Sequence, residues 1–223
     1  MCFSATASFT AGGLTIAAGV AALDAGKPAY RLLAAVPLLF GIQQCAEGIL
    51  WLALSHPELA GWAGPATLTY LIVWKVVWPV WVPLAILPLE TDPGRRKLPG
   101  VLLVTGALLA PALAYGLGAY PVMAKITGPH IQYRQDSPLL FRWVTDLAYP
   151  LAVVVPPMLA SNRIIRLAGV LLLTSLVLTK IFFYYYFASV WCFFAAIISV
   201  LVVVIVRASP ARIAPSQPEP RGV

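Results

Sequence analysis

Residues 41–54 read GIQQCAEGILWLAL, an apolar stretch that contains one acid and two amides. They end a longer apolar run, residues 32–54, which is long enough to cross about 30 Å of hydrocarbon as an α-helix. Gln43, Glu47 and Trp51 recur every four residues, so they share one face of that helix. Acids and amides at membrane depth are costly and are usually functional. Glu47 is therefore the residue around which we interpret the rest of the chain.

The composition places the chain in a cell membrane. Of its 223 residues, 61% are hydrophobic and only 10% are charged, whereas a soluble domain carries about 25% charged residues. The net charge of +7 does not indicate nucleic-acid binding, because the lysines and arginines lie mostly in short loops beside lipid headgroups. The scattered cysteines form no CxxC and predict neither a disulfide framework nor a zinc site.

Apolar windows of about 20 residues predict an all-α fold, a bundle of seven transmembrane helices over residues 1–208. Prolines in the third window predict a kink or break near the inner end of that helix. Lys180 and the aromatic run 182–187 mark the turn between the last two helices. Residues 209–223 are polar and Pro-rich, which predicts a disordered cytoplasmic tail. The windows are residues 4–23, 32–54, 66–89, 98–117, 139–159 and two within 164–206.

The basic residues predict the orientation of the bundle. Ten lysines and arginines fall on loops one, three and five and on the tail, against five at the opposite end. The positive-inside rule then places the N-terminus outside and the C-terminus inside. The longest outer loop, residues 118–138, contains GPHIQYRQD, and its length and polarity are typical of a lid or a binding element.

The intramembrane charges concentrate in the outer half of the bundle. With a rise of ~1.5 Å per residue, Glu47 and Asp146 each lie ~10 Å below the outer ends of their helices, and Lys75 lies ~14 Å below. Arg142 is one turn nearer the surface than Asp146, and Lys180 lies near the outer end of its helix. An unpaired charge in hydrocarbon costs roughly 2.5–3.5 kcal/mol, so these groups should pair or line water. Arg142 and Asp146 are four residues apart and can pair along one helix, and Glu47 and Lys75 could pair between adjacent helices.

Each of these features also has a purely structural interpretation. The amides and the acid could lock helices together by hydrogen bonds. Arg142 and Asp146 could form an interfacial ion pair, and the two lysines could extend toward the headgroups. The deep aromatic residues could belong to an interfacial belt, although their depth also suits a pocket lining. These aromatic residues are Trp51, Trp74, Trp78 and Tyr149.

Four segments in combination resemble a family of small bacterial membrane proteins with seven helices and no settled general function. The resemblance spans nearly the whole chain and implies a common fold, but it transfers no catalytic residues. A second likeness, in plan only, is to small seven-helix terpene cyclases of fungal and bacterial pathways. The four segments are MCFSATASF at 1–9, GIQQCAEGILWL at 41–52, WPVWVPLAILPLE at 78–90 and YYYFASVWCFFAA at 184–196.

The leading functional hypothesis is a membrane-embedded cyclase or isomerase of a prenylated, terpenoid substrate. A carboxylic acid in an apolar pocket can keep its proton and initiate a carbocation cascade, which aromatic faces then stabilise. The candidate catalytic residues are Glu47 and, second, Asp146, either of which could instead be the base that ends the cascade. The candidate substrate-binding residues are Gln43, Gln44, Trp51, Trp74, Lys75, Trp78, Arg142 and Tyr149.

This hypothesis requires no metal and no cofactor, and the lack of a DDxxD-type cluster argues against diphosphate ionisation. The expected partners are a lipophilic small molecule, the lipid bilayer and an upstream prenyltransferase, with no nucleic acid. The alternative is a small transporter, channel or sensor that uses the same charges as a proton or ion relay. A third reading is a structural subunit of a larger membrane complex. The absence of a sequence repeat and the charge-poor inner half argue against a full conduction path.

Overall fold

The computed structural model describes residues 4–25 and 27–208, and it confirms the all-helical class. Within these residues, seven helices are long and apolar enough to cross a membrane, the architecture of a multi-pass membrane protein. The predicted disordered tail, residues 209–223, lies outside the described residues. The helices are α1 (Ala5–Asp24), α2 (Pro28–Ser55), α3 (Pro57–Leu89), α4 (Pro93–Ala119), α5 (Leu139–Met158), α6 (Arg163–Phe182) and α7 (Tyr184–Ala208).

Two of these helices contain a single wide π turn, at Val73–Val77 in α3 and at Val144–Ala148 in α5. Each π turn is followed by a proline, Pro79 or Pro150, four residues after the ionisable residue in the turn. Proline has no backbone N–H, and its ring clashes with the carbonyl four residues earlier, so a widened turn relieves both problems. The irregularity of α3 therefore lies near its middle and not only at its end, where Leu87–Leu89 forms a 3₁₀ turn.

The connection between α4 and α5 is a β-hairpin rather than an irregular loop. Strands β1 (Val122–Thr127) and β2 (His130–Gln135) are antiparallel, and Thr127 pairs with His130 across a two-residue turn. Gly128 has a φ of 59°, which suits the first central position of a type II′ turn. We call this end of the bundle the hairpin end, and the opposite end the tail end.

The hairpin is packed onto the bundle by two neighbouring residues of β2. Ile131 is completely buried and contacts a cluster that includes Leu50 and Trp51 of α2. His130 stacks on Tyr186, with ring centroids 4.7 Å apart, in the aromatic segment 182–187 where α6 ends and α7 begins, which we call the α6–α7 turn. Burial lowers the pKa of His130 below its ordinary value and so favours the neutral ring.

At the tail end, two polar contacts join elements that are distant in sequence. Lys27 donates to the carbonyls of Val206 and Arg207, at 2.6 and 3.1 Å, where a cation complements the C-terminal end of α7. Glu90 accepts a hydrogen bond of 2.6 Å from the hydroxyl of Ser161 and so links the α3–α4 and α5–α6 connections.

Candidate functional site

Glu47 lies completely buried inside the bundle at the hairpin end. The hydroxyl of Tyr133, from β2, lies 3.5 Å from its Oε1 atom. That distance is long for an O–H···O hydrogen bond, which usually measures about 2.5–3.0 Å. The ring of Tyr133 is held by Tyr70 of α3, on which it stacks at 4.9 Å, while the Tyr70 hydroxyl donates to the carbonyl of Ala188 at 2.8 Å. The hairpin therefore supplies a tyrosine that contacts Glu47.

The two amides beside Glu47 differ in their hydrogen bonding. Gln43 accepts from the indole N–H of Trp78 at 2.9 Å and donates to the sulfur of Cys192 at 3.1 Å. It therefore joins α2 to α3 and α7, as the interhelical interpretation predicts. Gln44 is equally buried, yet in the described part of the chain neither its oxygen nor its nitrogen has a hydrogen-bond partner.

A cavity of about 490 Å³ opens at the hairpin end between the hairpin, α5 and the α6–α7 turn. We call it the mouth cavity; its volume falls within the range of about 300–1,000 Å³ that is usual for ligand sites. Its aromatic wall includes Trp74, Tyr133 and Phe187. A smaller cavity of about 170 Å³ adjoins it and adds Lys75 to the lining. The charged residues of the mouth cavity are Arg134, Asp136, Arg142, Asp146 and Lys180.

The charges do not pair as the sequence spacing predicts. Asp146 forms its ion pair with Lys180 of α6, and Lys75 donates to Oε1 of Gln135 at 2.6 Å. Among the described residues, neither of the two pairs that the sequence allows, Arg142 with Asp146 and Glu47 with Lys75, forms an ion pair. The first of these pairs assumes regular α-helical spacing, whereas the π turn that contains Asp146 changes the stagger between it and Arg142.

A second, apolar cavity of about 100 Å³ lies deeper in the bundle, toward the tail end. Four aromatic side chains lie between it and the mouth cavity. Trp74 and Phe187 line the mouth cavity, whereas Tyr149 and Trp191 line the deeper one. Trp74 meets Tyr149 edge-on at 6.1 Å, and Phe187 stacks on Trp191 at 5.2 Å.

Exposed apolar side chains lie on two of the elements that line the mouth cavity. Large side chains at the start of α5 and at the α6–α7 turn are more than half exposed, and membrane lipid would cover them. A molecule dissolved in the bilayer would therefore meet these side chains, which we call the apolar rim. They are Leu139, Leu140, Trp143, Phe182 and Tyr185, and of these Tyr185 also lines the cavity.

The sequence-predicted site residues thus fall into three groups. Trp74, Lys75, Arg142 and Asp146 line the mouth cavity or the cavity beside it. Trp78 and Tyr149 line the deeper cavity. The remaining residues are enclosed between helices or under the hairpin, and they are Gln43, Gln44, Glu47 and Trp51.

Tyr70 and Gln135 are site residues that the sequence reasoning missed. Tyr133 was noted only as part of a lid-like loop, because the loop was not recognised as a hairpin. The signal was present: Gly128-Pro129 separates two short segments rich in β-branched and aromatic residues, a pattern that predicts paired strands.

Gln135 anchors the open end of the hairpin. Its Oε1 atom accepts from Lys75, and its amide nitrogen donates to the carbonyls of Gly116 and Tyr120 at 2.9 and 2.7 Å. We expect Gln135→Ala to speed hydrogen exchange in the strands about tenfold or more, because hydrogen bonds to charged groups contribute about 1.5–3 kcal/mol. The measurement is hydrogen–deuterium exchange in detergent micelles. Gln132→Ala, on the same strand, is the matched control, and equal exchange in both variants would contradict the anchoring role.

Residues 1–217 match the DUF6629 family, which is described as a family of unknown function. The chain belongs to this family. No curated protein and no solved structure matches the chain. The match covers the whole bundle and almost the whole chain, but it brings no activity with it, so the function of this DUF6629 protein must be inferred from its site.

Proposed function

We propose that this protein is a cell-membrane cyclase or isomerase that acts on a prenylated, lipophilic substrate by protonating it. The observation that carries the proposal is the contact between the buried Glu47 and the hydroxyl of Tyr133, a residue that lines the mouth cavity. A buried acid in contact with a tyrosine that lines a ligand-sized cavity is a suitable arrangement for delivering a proton to a bound molecule.

The proposed reaction is balanced within the substrate. Protonated Glu47 transfers its proton to the Tyr133 oxygen while the Tyr133 hydroxyl proton passes to an epoxide oxygen or an alkene carbon. The resulting carbocation is attacked by an internal double bond, which forms a carbon–carbon bond, and a proton is then lost from a carbon beside the final cation. The product is an isomer of the substrate, and returning that proton to Glu47 restores the enzyme.

The walls of the mouth cavity suit a cationic intermediate. Trp74, Tyr133 and Phe187 present π systems to its interior, and aromatic faces attract a cation without attacking it as water would. Asp146 is also exposed to the cavity and is held by Lys180. In the proposal its carboxylate stabilises the cation, or accepts the proton that ends the cascade.

The decisive experiment is a comparison of extracts from cells that express the protein and cells that do not. Both are fed a panel of linear prenylated compounds and their epoxides, and the extracts are compared by mass spectrometry. A product of unchanged mass and shifted retention that requires the protein supports the proposal. No conversion across the panel, with folded protein confirmed in the membrane, would overturn it and leave a proton or ion relay as the alternative.

We also propose that the hairpin end faces the outside of the cell, as the distribution of basic residues favours. Cysteines introduced singly at Met123, on β1, and at Arg96, at the start of α4, test this in intact cells, in a chain whose three native cysteines are replaced by alanine. A membrane-impermeant maleimide should label Met123→Cys and spare Arg96→Cys until the cells are opened. The reverse labelling pattern would place the mouth cavity on the cytoplasmic side.

A further inference from the structure

The cations at the hairpin end are concentrated around one cavity. Five lysines and arginines belong to this end, and four of them line the mouth cavity or the cavity beside it. Only Lys125, on β1, lies elsewhere. The positive-inside rule does not explain this clustering, because it favours few basic residues at the outer end of the bundle.

The charges around the cavity are not balanced. Lys180 neutralises Asp146 by forming its ion pair, and Lys75 is held by an uncharged amide. In the described part of the chain, the guanidinium groups of Arg134 and Arg142 have no hydrogen-bond or ion-pair partner. Asp136 is the remaining acid of the cavity lining. The cavity therefore keeps an excess of positive charge, with two arginines available to a ligand.

We propose that the mouth cavity binds the anionic head group, phosphate or carboxylate, of an amphipathic lipophile. The planar guanidinium offers paired N–H donors that match the oxygens of both anions. The head group would lie between Arg134 and Arg142, and the chain of the ligand would extend along the aromatic wall or over the apolar rim. This inference rests on the proposed function, for which it specifies a substrate that carries an acidic head as well as a prenyl chain.

Binding can be measured without turnover, in the full chain purified in dodecyl maltoside micelles. The probes are dodecyl phosphate and dodecanoate, with dodecanol as the neutral molecule of equal length and inorganic phosphate as the anion without a chain. Ligand-induced shifts in unfolding temperature give the Kd of each. We expect both anionic amphiphiles to bind more tightly than dodecanol and than inorganic phosphate.

Three sets of variants make the assignment specific. Arg134→Gln with Arg142→Gln should raise the Kd for dodecyl phosphate about tenfold or more, since each charged hydrogen bond contributes substantially. Asp136→Asn should lower the Kd, because it removes a repelling charge. Arg95→Gln with Arg96→Gln, two exposed arginines at the tail end, is the matched control and should leave the Kd unchanged.

Three results would overturn the inference: equal Kd values for dodecyl phosphate and dodecanol, equal Kd values for dodecyl phosphate and inorganic phosphate, or an unchanged Kd in the Arg134/Arg142 double variant. The second of these would assign the cavity to a free anion instead of a lipid-like one. If the anionic amphiphiles bind tightly but no substrate is converted, the proposed function is overturned and the head-group site stands. If the Arg134/Arg142 double variant converts substrate as fast as the wild type, the head-group site is overturned and the proposed function stands.

Discussion

Glu47→Gln is expected to reduce turnover by about 10²–10⁴-fold, the usual contribution of a positioned acid. Glutamine has the shape of glutamate but no acidic proton, and position 47 is completely buried. The variant should therefore keep its fold while it loses its proton source. Tyr133→Phe should cause a loss of similar size, because it removes the hydroxyl but keeps the ring that stacks on Tyr70. The measurement is the initial rate of isomer formation in membranes that contain equal amounts of protein.

Tyr115→Phe is the matched control for this prediction. Tyr115 is exposed on α4 and is not among the residues that line the mouth cavity. The same chemical change at this position should leave turnover within about threefold of the wild type, the scale of a lost surface interaction. If Glu47→Gln retained full activity, or if both tyrosine variants lost activity equally, the proposed proton route would be wrong.

Gly106→Ala is expected to destabilise the bundle by about 1–3 kcal/mol, the usual cost of overpacking, or more if the helices cannot separate. A Cβ atom at Gly106 of α4 would lie 1.8 Å from the carbonyl oxygen of Pro79 in α3. The obstructing atom is backbone, so no side chain can rotate away. Relief requires α4 to move from α3, next to the π turn that carries Lys75. Unfolding in mixed micelles of increasing dodecyl sulfate content measures the loss.

Gly100→Ala, on the same helix, is the matched control. A Cβ atom there has no neighbour within 4 Å, so the substitution causes no clash. The stability should then change only through the higher helix propensity of alanine, which favours folding by up to about 1 kcal/mol. The two variants should consequently shift stability in opposite directions. Equal shifts would show that the close approach of α4 to Pro79 is not maintained in the protein.

The helices were predictable because burying apolar side chains in lipid is a local property of each segment. The turn between α6 and α7 was also placed correctly, since the long apolar run is interrupted by aromatic residues and ends α6 at Phe182. The start of α3 was predicted at residue 66, but the helix begins at Pro57. Two glycines and a second proline interrupt the apolar run there, at Gly61, Gly64 and Pro65, although Pro57 readily occupies a first helical turn.

The partners of the charged groups were less predictable. The spacing along α5 suggested an ion pair between Arg142 and Asp146, but the Asp146 carboxylate pairs with Lys180 of α6 instead. Glu47 is met by Tyr133, which is 86 residues away in the chain. Such contacts depend on how helices rotate against each other and on where the hairpin folds, and neither is encoded in a local pattern. Both π turns add to the difficulty, because they shift the phase of all residues beyond them.

The apolar rim of the mouth cavity has a kinetic consequence for an enzyme of this kind. A substrate that enters past Leu140 and Tyr185 comes from the bilayer, and its effective concentration is then its mole fraction among the lipids. At a fixed amount of substrate, adding inert lipid should slow the reaction although nothing in the aqueous phase has changed. Such surface dilution would distinguish lateral entry from entry through water, where the rate would follow the free aqueous concentration.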